Sequence, residues 1–285
     1  MAATAVVFAY HDVGVRCLSV LLQEGVSVPL VVTHRDDPDE KIWFSSVYDL
    51  AVSRGIEVLL DPTEKQILEK LQLLKPDFIF SFYFRRMLSQ DILALAKRGA
   101  YNMHGSLLPK YRGRAPVNWA VLKGETETGA TLHEMVAKPD AGGIVGQERV
   151  PIGPDDLAVD VFRKVTNASE KVLKKCISDL VKGTARAKSQ DLSAGSYFGA
   201  RKPVDGRIDW SRPAREIHNL VRAVAPPYPG AFTIFQGKRF LVLKSELEER
   251  PRPARAQGPF QEGGQWFAGC GDGKVLRLLE VEFPA

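Results

Sequence analysis

Asn102, His104 and Asp140 are the residues of this sequence whose types and spacing could carry out a proton-coupled transfer. Asn102 and His104 stand two positions apart in NMHGSLLPKYRGRAP (102–116). Glycines and prolines are too closely placed there for a helix interior or an ordinary strand. Asp140 lies in the turn-like AKPDAGG. An imidazole that titrates near neutrality can shuttle a proton, and a carboxylate can fix its tautomer and raise its pKa. A side-chain amide can donate to a developing oxyanion. Together these groups suit acyl transfer to a nucleophile carried by the substrate. No side chain needs to be acylated, and the sequence has no GxSxG elbow. By type alone, a loop Asn or His is more often a turn former or a satisfied hydrogen-bonder, so the spacing is suggestive without being sufficient.

The elements that must position these groups are legible as a pattern. Short apolar runs, TAVVFAY, VSVPLVVTH, IEVLLDP and DFIFSFYF, alternate with stretches of helical period such as TEKQILEKLQLLK. That alternation predicts an α/β fold with a parallel sheet. Ligands bind at the carboxyl ends of strands in such sheets. Asn102 and His104 sit at the end of one predicted strand, and Asp140 lies between two more, TGATLHEMV and GGIVGQERVPI, so loops can bring the three together. HDVGVRCLSVLLQEGV reads as a helix capped by Asp12 and ending at Gly25. YHDVG is not GxGxxG, which argues against a dinucleotide site.

Further along, PDDLAVDVFRKVTNASEKVLKKCISDLVKG predicts a long amphipathic helix with Leu157, Val161, Val165, Val172, Cys176 and Leu180 near one face. Pro154 precedes it and Gly183 ends it. From Ser196 the texture changes to a turn-rich stretch, one short helix in REIHNLVRAV, and strands in AFTIFQ, KRFLVLKSEL, QWFAGC and KVLRLLEVEF. PRPARAQGP, within 251–259, reads as a loop. The expected division is an α/β domain over 1–203 and a small β-rich domain over 204–285.

Composition narrows the class. The chain has 285 residues, 45% hydrophobic and 26% charged, which suits a globular protein with a sizeable core. The first residues do not resemble a secretion signal and no run of about 18 apolar residues occurs, so a soluble cytoplasmic protein without a membrane span is expected. Cys17, Cys176 and Cys270 form neither a disulfide framework nor a CxxC metal motif, and no metal is expected. A formal charge of +5 with a pI of about 9.0 admits nucleic acid, phosphate or nucleotide partners, but suits solvated surface equally well.

The stretch NMHGSLLPKYRGRAPVNWAVLKGETETGATLHEM, followed by DAGGIVGQ, closely resembles the 10-formyltetrahydrofolate-dependent formyltransferase family. The likeness extends to VVFAYHDVG, THRDDPDEK, PDFIFSFYFR, IGPDD and RAVAPPYPGAF, and so covers most of the chain. The resemblance implies a Rossmann-like parallel-sheet formyltransferase domain followed by a small barrel-like domain of oligonucleotide-binding type. It also implies that Asn102 binds the formyl oxygen and its oxyanion, that His104 is the acid/base, and that Asp140 tunes His104. The implied co-substrate, 10-formyltetrahydrofolate, would lie against Arg86, Met87 and Leu88 and against Val136, Ala137, Lys138, Pro139 and Asp140. Arg86 and Met87 are not residues that the family demands. The Leu108–Pro109 bond is a candidate cis peptide.

The acceptor is the remaining choice. Family members that act on tRNA carry a glycine- and lysine-rich insertion soon after the second strand. Here HRDDPDEKIWFSS stands in that place, and its net acidity would repel a phosphate backbone, so no nucleic-acid partner is expected. The likeness is strongest to members that formylate UDP-4-amino-4-deoxy-L-arabinose, a step of lipid A modification and polymyxin resistance, which implies a UDP-amino sugar. Such a substrate needs arginines for its diphosphate and an aromatic or proline-lined slot for uracil. Arg114, Arg201, Arg222 and Tyr228 supply suitable types, and Asn118 could orient the sugar. Tyr228 is as easily a packing residue, and Arg222 could simply pair with Glu216. His11, His34, His133 and His218 have no partner assigned by sequence. The alternatives are a methionyl-tRNA formyltransferase and a non-catalytic folate- or nucleotide-binding module. Oligomeric state is not legible in the sequence.

Overall fold

The computed structural model describes residues 2–253 and 257–283, so three residues of the PRPARAQGP stretch, 254–256, lie outside it. The chain forms two compact units. One comprises the stretch up to Gly113 together with Gly129–Val150 and Lys164–Tyr197, and the other comprises Arg114–Thr128, Pro151–Arg163 and the stretch from Phe198 onward.

The elements follow in chain order as β1 (Thr4–Ala9), α1 (His11–Gln23), β2 (Ser27–Thr33), α2 (Val47–Ser53), β3 (Glu57–Leu60), α3 (Glu64–Leu74), β4 (Phe78–Phe82), α4 (Gln90–Leu93), β5 (Ala100–His104), the two-residue β6 (Arg112–Gly113) and α5 (Pro116–Leu122). Then come β7 (Glu127–Glu134), β8 (Ile144–Pro151), α6 (Ala158–Lys182) and the two-residue β9 (Tyr197–Phe198). The main sheet has the order β3-β2-β1-β4-β5-β7-β8. Strands β1 to β5 pair in parallel, as the alternating pattern predicts, whereas β7 runs antiparallel to β5.

Burial explains why these runs form the sheet's centre. Val6, Phe8, Leu30, Val32 and Ile79 are all 0% exposed and pack with Ile67 and Leu71 of α3. Each such side chain contributes about 1.5–3 kcal/mol of hydrophobic stabilisation. Helix α3 starts at a capping box in which Gln66 N–H donates to Thr63 Oγ1 (3.4 Å) and Thr63 N–H donates to Gln66 Oε1 (2.8 Å). In α6 the predicted stripe is buried at Val161, Val165, Val172 and Leu180. Asp12 is not the cap of α1. Tyr10 holds that position without a side-chain bond, and Asp12, in the first turn, accepts from Ser45 N–H at 2.9 Å.

The second unit contains α5, the start of α6, and α7 (Ala214–Val224), followed by β10 (Ala231–Phe235), β11 (Lys238–Pro251), β12 (Gly258–Glu262), β13 (Gln265–Gly269) and β14 (Lys274–Glu282). These strands form one antiparallel sheet in the order β10-β11-β14-β13-β12, the β-rich C-terminal unit that the sequence predicts. Helix α7 packs on β11 and β14 and also against α5. Strand β12 begins inside a segment read as loop: Gly258 takes φ 87° and the next residues pair with β13, setting Phe260 against Phe267. Among the described residues no helix is long and apolar enough to cross a membrane.

Candidate active site

The antiparallel junction of β5 and β7 builds the site. Its register sets Asn102 opposite His133 and His104 opposite Thr131. Strand side chains alternate between faces, so these four share one face of the sheet. Because β7 runs antiparallel, its end leads away from His104, and residues 135–139 must fold back to deliver Asp140. Asp140 itself takes a left-handed conformation (φ 52°). Its Oδ2 accepts from Gly113 N–H at 2.8 Å. Its backbone carbonyl accepts from Gln190 Nε2 at 3.0 Å, and the same amide donates to the Gly142 carbonyl at 2.6 Å.

The imidazole of His104 is 6% exposed, with Nδ1 3.6 Å from Asp140 Oδ1 and Nε2 2.8 Å from the Tyr111 carbonyl. A carbonyl can only accept, so Nε2 carries a hydrogen and Nδ1 is the nitrogen that faces the carboxylate. The three residues predicted to act together are therefore assembled in one cluster. A fourth member was not foreseen. His133, 2% exposed, places Nε2 3.1 Å from Asn102 Nδ2 and 3.5 Å from Asp140 Oδ1, while its Nδ1 lies 2.8 Å from the Glu134 carbonyl. The alternation of TGATLHE gives His133 and Thr131 one face, but only the register between β5 and β7 shows which neighbour His133 meets.

The segment after β5 is braced by short bonds. Its Leu108–Pro109 peptide is cis. Ser106 Oγ donates to the Lys110 carbonyl at 2.6 Å. Thr131 Oγ1 donates to the Ser106 carbonyl at 2.6 Å and accepts from Leu108 N–H at 3.2 Å and Gln147 Nε2 at 2.9 Å. The Tyr111 carbonyl that holds His104 is thus fixed from several directions.

Burial penalises the ionised carboxyl of Asp140, yet the neighbouring His104 and His133 rings and the Gly113 N–H outweigh that penalty and hold it well below the usual carboxylate range. A carboxyl depressed in the folded state contributes stability above its unfolded pKa and loses that contribution as pH falls through the folded value. Asp140→Asn, which suits the left-handed backbone, is expected to be less stable than the parent at neutral pH, and the difference should shrink in strong acid. Denaturant midpoints measured from pH 7 downward check this; a difference that does not narrow contradicts it.

The other predicted contacts fall into two groups. In the first unit, Met87 and Val136 are 70% and 41% exposed, Leu88 is buried, and Ala137 and Lys138 are exposed beside half-buried Pro139. Arg86 donates from Nη1 to the Pro62 carbonyl at 2.9 Å and lies over Phe84. In the second unit, Arg114 is exposed. Asn118 donates to the Ala223 carbonyl at 2.9 Å and bonds to Tyr228, whose phenol burial pushes up to about 12. Arg201 lies 4.9 Å above the ring of Trp119, which stacks on Phe198 at 4.7 Å and 27°. Sequence reading did not single out that aromatic pair. Arg222 is 4% exposed; its Nε donates to Asn219 Oδ1 (2.9 Å) and its Nη1 to the Asp156 carbonyl (3.2 Å). Glu216 is paired with Arg212 rather than with Arg222.

Residues 16–177 match the formyl transferase family, and residues 201–285 match the formyl transferase C-terminal domain. The chain belongs to the formyl transferase family. Solved structures with the same fold include an N-formyltransferase from Helicobacter canadensis in complex with folinic acid and dTDP-3-aminofucose, with 23% identity, a TM-score of 0.75, and coverage of 98% of this chain and 99% of that one. WlaRD, a sugar 3N-formyl transferase solved with dTDP and 5-N-formyl-THF, aligns with 21% identity, a TM-score of 0.75 and 98% of each chain covered. A sugar N-formyltransferase from Shewanella sp FDAARGOS_354 aligns at 18% identity and a TM-score of 0.69, over 87% of this chain and 100% of that one. In this formyl transferase, Asn102, His104 and Asp140 fall within the stretch that matches the family.

Proposed function

We propose that the protein transfers the formyl group of 10-formyltetrahydrofolate to the amine of a nucleotide-activated amino sugar, with UDP-4-amino-4-deoxy-L-arabinose as the first acceptor to test. The observation that carries the reading is the convergence of Asn102, Asp140 and the buried His104 in one cluster. The acceptor amine must be unprotonated to attack the formyl carbon, and N10 of the departing folate must gain a proton. The Asn102 amide donates to the oxygen that becomes negative at the tetrahedral stage. His104 takes the proton released by the amine and returns it to N10. Its Nε2 hydrogen is committed to Tyr111, so Nδ1 is the position whose protonation can change without breaking a bond of the fold. The ionised Asp140 beside Nδ1 stabilises the imidazolium. No side chain becomes covalently modified, and the atoms balance as formyl amine plus tetrahydrofolate.

Residues 86–88 and 136–140 are the segments assigned to folate, and the exposed Met87 and Val136 offer it apolar surface. The nucleotide is assigned to Arg114, Arg201, Asn118 and Tyr228, to which we add the Trp119–Phe198 stack. Arg222 is left out, because its guanidinium is buried and already donates to Asn219 and Asp156. The relatives solved with a dTDP-sugar or dTDP support a nucleotide-sugar acceptor. Against tRNA stands the acidic loop: Glu40 there binds Arg85 through two bonds of 2.7 and 2.9 Å, removing one cation from phosphate contact.

Incubation with 10-formyltetrahydrofolate and a panel of UDP-, dTDP- and GDP-amino sugars, together with charged initiator tRNA, tests the reading by mass. A formylated sugar supports it. A formylated tRNA alone replaces it with the tRNA activity, and folate binding without transfer to any amine replaces it with a binding module. For the accepted sugar nucleotide, Trp119→Ala and Arg201→Ala should each raise KM by about tenfold with kcat within about twofold, since they remove stacking and cation–π contacts assigned to the nucleotide rather than to the reacting atoms. An unchanged KM in both variants would remove them from the nucleotide's contacts.

A further inference from the structure

Asn102 is useful as an oxyanion donor only if its amide points the right way. A carboxamide turned by 180° puts oxygen where nitrogen should be, at almost no steric cost. Whatever fixes its orientation is therefore part of the machinery. The cross-strand partner of Asn102, His133, has that capacity.

The argument runs through hydrogen positions. His133 Nδ1 lies 2.8 Å from the Glu134 carbonyl, which can only accept, so Nδ1 carries a hydrogen. In a neutral ring Nε2 then bears the lone pair. That nitrogen is 3.1 Å from Asn102 Nδ2 and 3.5 Å from Asp140 Oδ1. It can accept from the amide, whereas a lone pair has nothing to offer a carboxylate. The shorter contact and the tautomer agree.

We infer that His133 is a positioning residue: held as the Nδ1–H tautomer by the Glu134 carbonyl, it accepts one N–H of Asn102 and so leaves the second N–H and Oδ1 of that amide for the reactants. The inference rests on the formyl-transfer reading for its kinetic consequence but not for its tautomer.

Three variants and one spectrum test it. His133→Leu removes the acceptor at similar bulk, while His133→Gln can return an amide oxygen near the place of Nε2. Loss of one properly aimed oxyanion donor costs about 10²–10³ in kcat. Misorientation for part of the time should cost less, so His133→Leu is expected to lower kcat by roughly 10- to 100-fold, with KM for donor and acceptor within about threefold. His133→Gln should recover most of that loss. In an Asn102→Ala background, adding His133→Leu should cost less than about twofold more. Leu and Gln variants that are equally slow, or both as fast as the parent, overturn the inference, as does full additivity with Asn102→Ala. Independently of any turnover, nitrogen NMR of the histidine-labelled protein should show His133 protonated at Nδ1 and bare at Nε2; a hydrogen on Nε2 overturns the assignment. A parent protein that formylates no amine would defeat the formyl-transfer reading while leaving the spectrum to decide the tautomer.

Discussion

His104→Ala is expected to lower kcat for formyl transfer by roughly 10²–10⁴, the usual scale for removal of an acid/base group, with acceptor KM little changed. The imidazole is nearly sealed from solvent and sits between the Tyr111 carbonyl and Asp140, a position that alanine leaves empty. Alanine also removes the imidazole N–H that the Tyr111 carbonyl accepts, which should cost about 0.5–1.5 kcal/mol of stability. Steady-state kinetics on protein shown by circular dichroism to be folded separates the two effects. Turnover within about twofold of the parent would end the assignment of His104 as acid/base.

The second large effect is expected at Asp140. Asp140→Ala should also reduce kcat by about 10²–10⁴, because the carboxylate faces the nitrogen of His104 at which charge appears and its other oxygen accepts from Gly113 N–H. Asp140→Asn keeps an acceptor for Gly113 but replaces the oxygen that faces His104 with an NH2 donor, so its kcat reports the loss of the charge together with that change. If Asp140 acts through His104, the double variant His104→Ala/Asp140→Ala should be scarcely slower than His104→Ala alone. Two losses that multiply in the double variant would show that the residues act separately.

Much of this arrangement was legible in the sequence, for reasons that differ by level. Apolar runs such as TAVVFAY and DFIFSFYF declare buried strands because a sheet covered on both faces tolerates little else. Turn-forming residues around polar groups make Asn102, His104 and Asp140 candidates, but it is the likeness of NMHGSLLPKYRG and DAGG to the formyltransferase family that singles them out. What was not legible depends on the chain meeting itself. Strand β7 runs antiparallel and ends away from His104, so Asp140 reaches it only because residues 135–139 fold back, and neither that course nor the pairing of Asn102 with His133 leaves a local signature. Trp119 and Phe198 stack across a separation that periodicity does not register. Asp12 illustrates the opposite failure: its type and position suit a helix cap, but Ser45 N–H claims its carboxylate. Strand β12 escaped notice because proline and glycine dominate the segment that leads into it.

The interleaving of the two units along the chain bears on how this enzyme can be taken apart. The second unit contains α5 and residues 151–163 as well as the segment from Phe198 onward, and Asn118 of α5 is bonded to the Ala223 carbonyl of α7. A cut near residue 203 would strand α5 on one fragment and its partner helix on the other. Chimeras built to test whether the second unit sets acceptor preference would need to carry 114–128 and 151–163 along with the C-terminal segment, because that unit is assembled from three pieces of sequence.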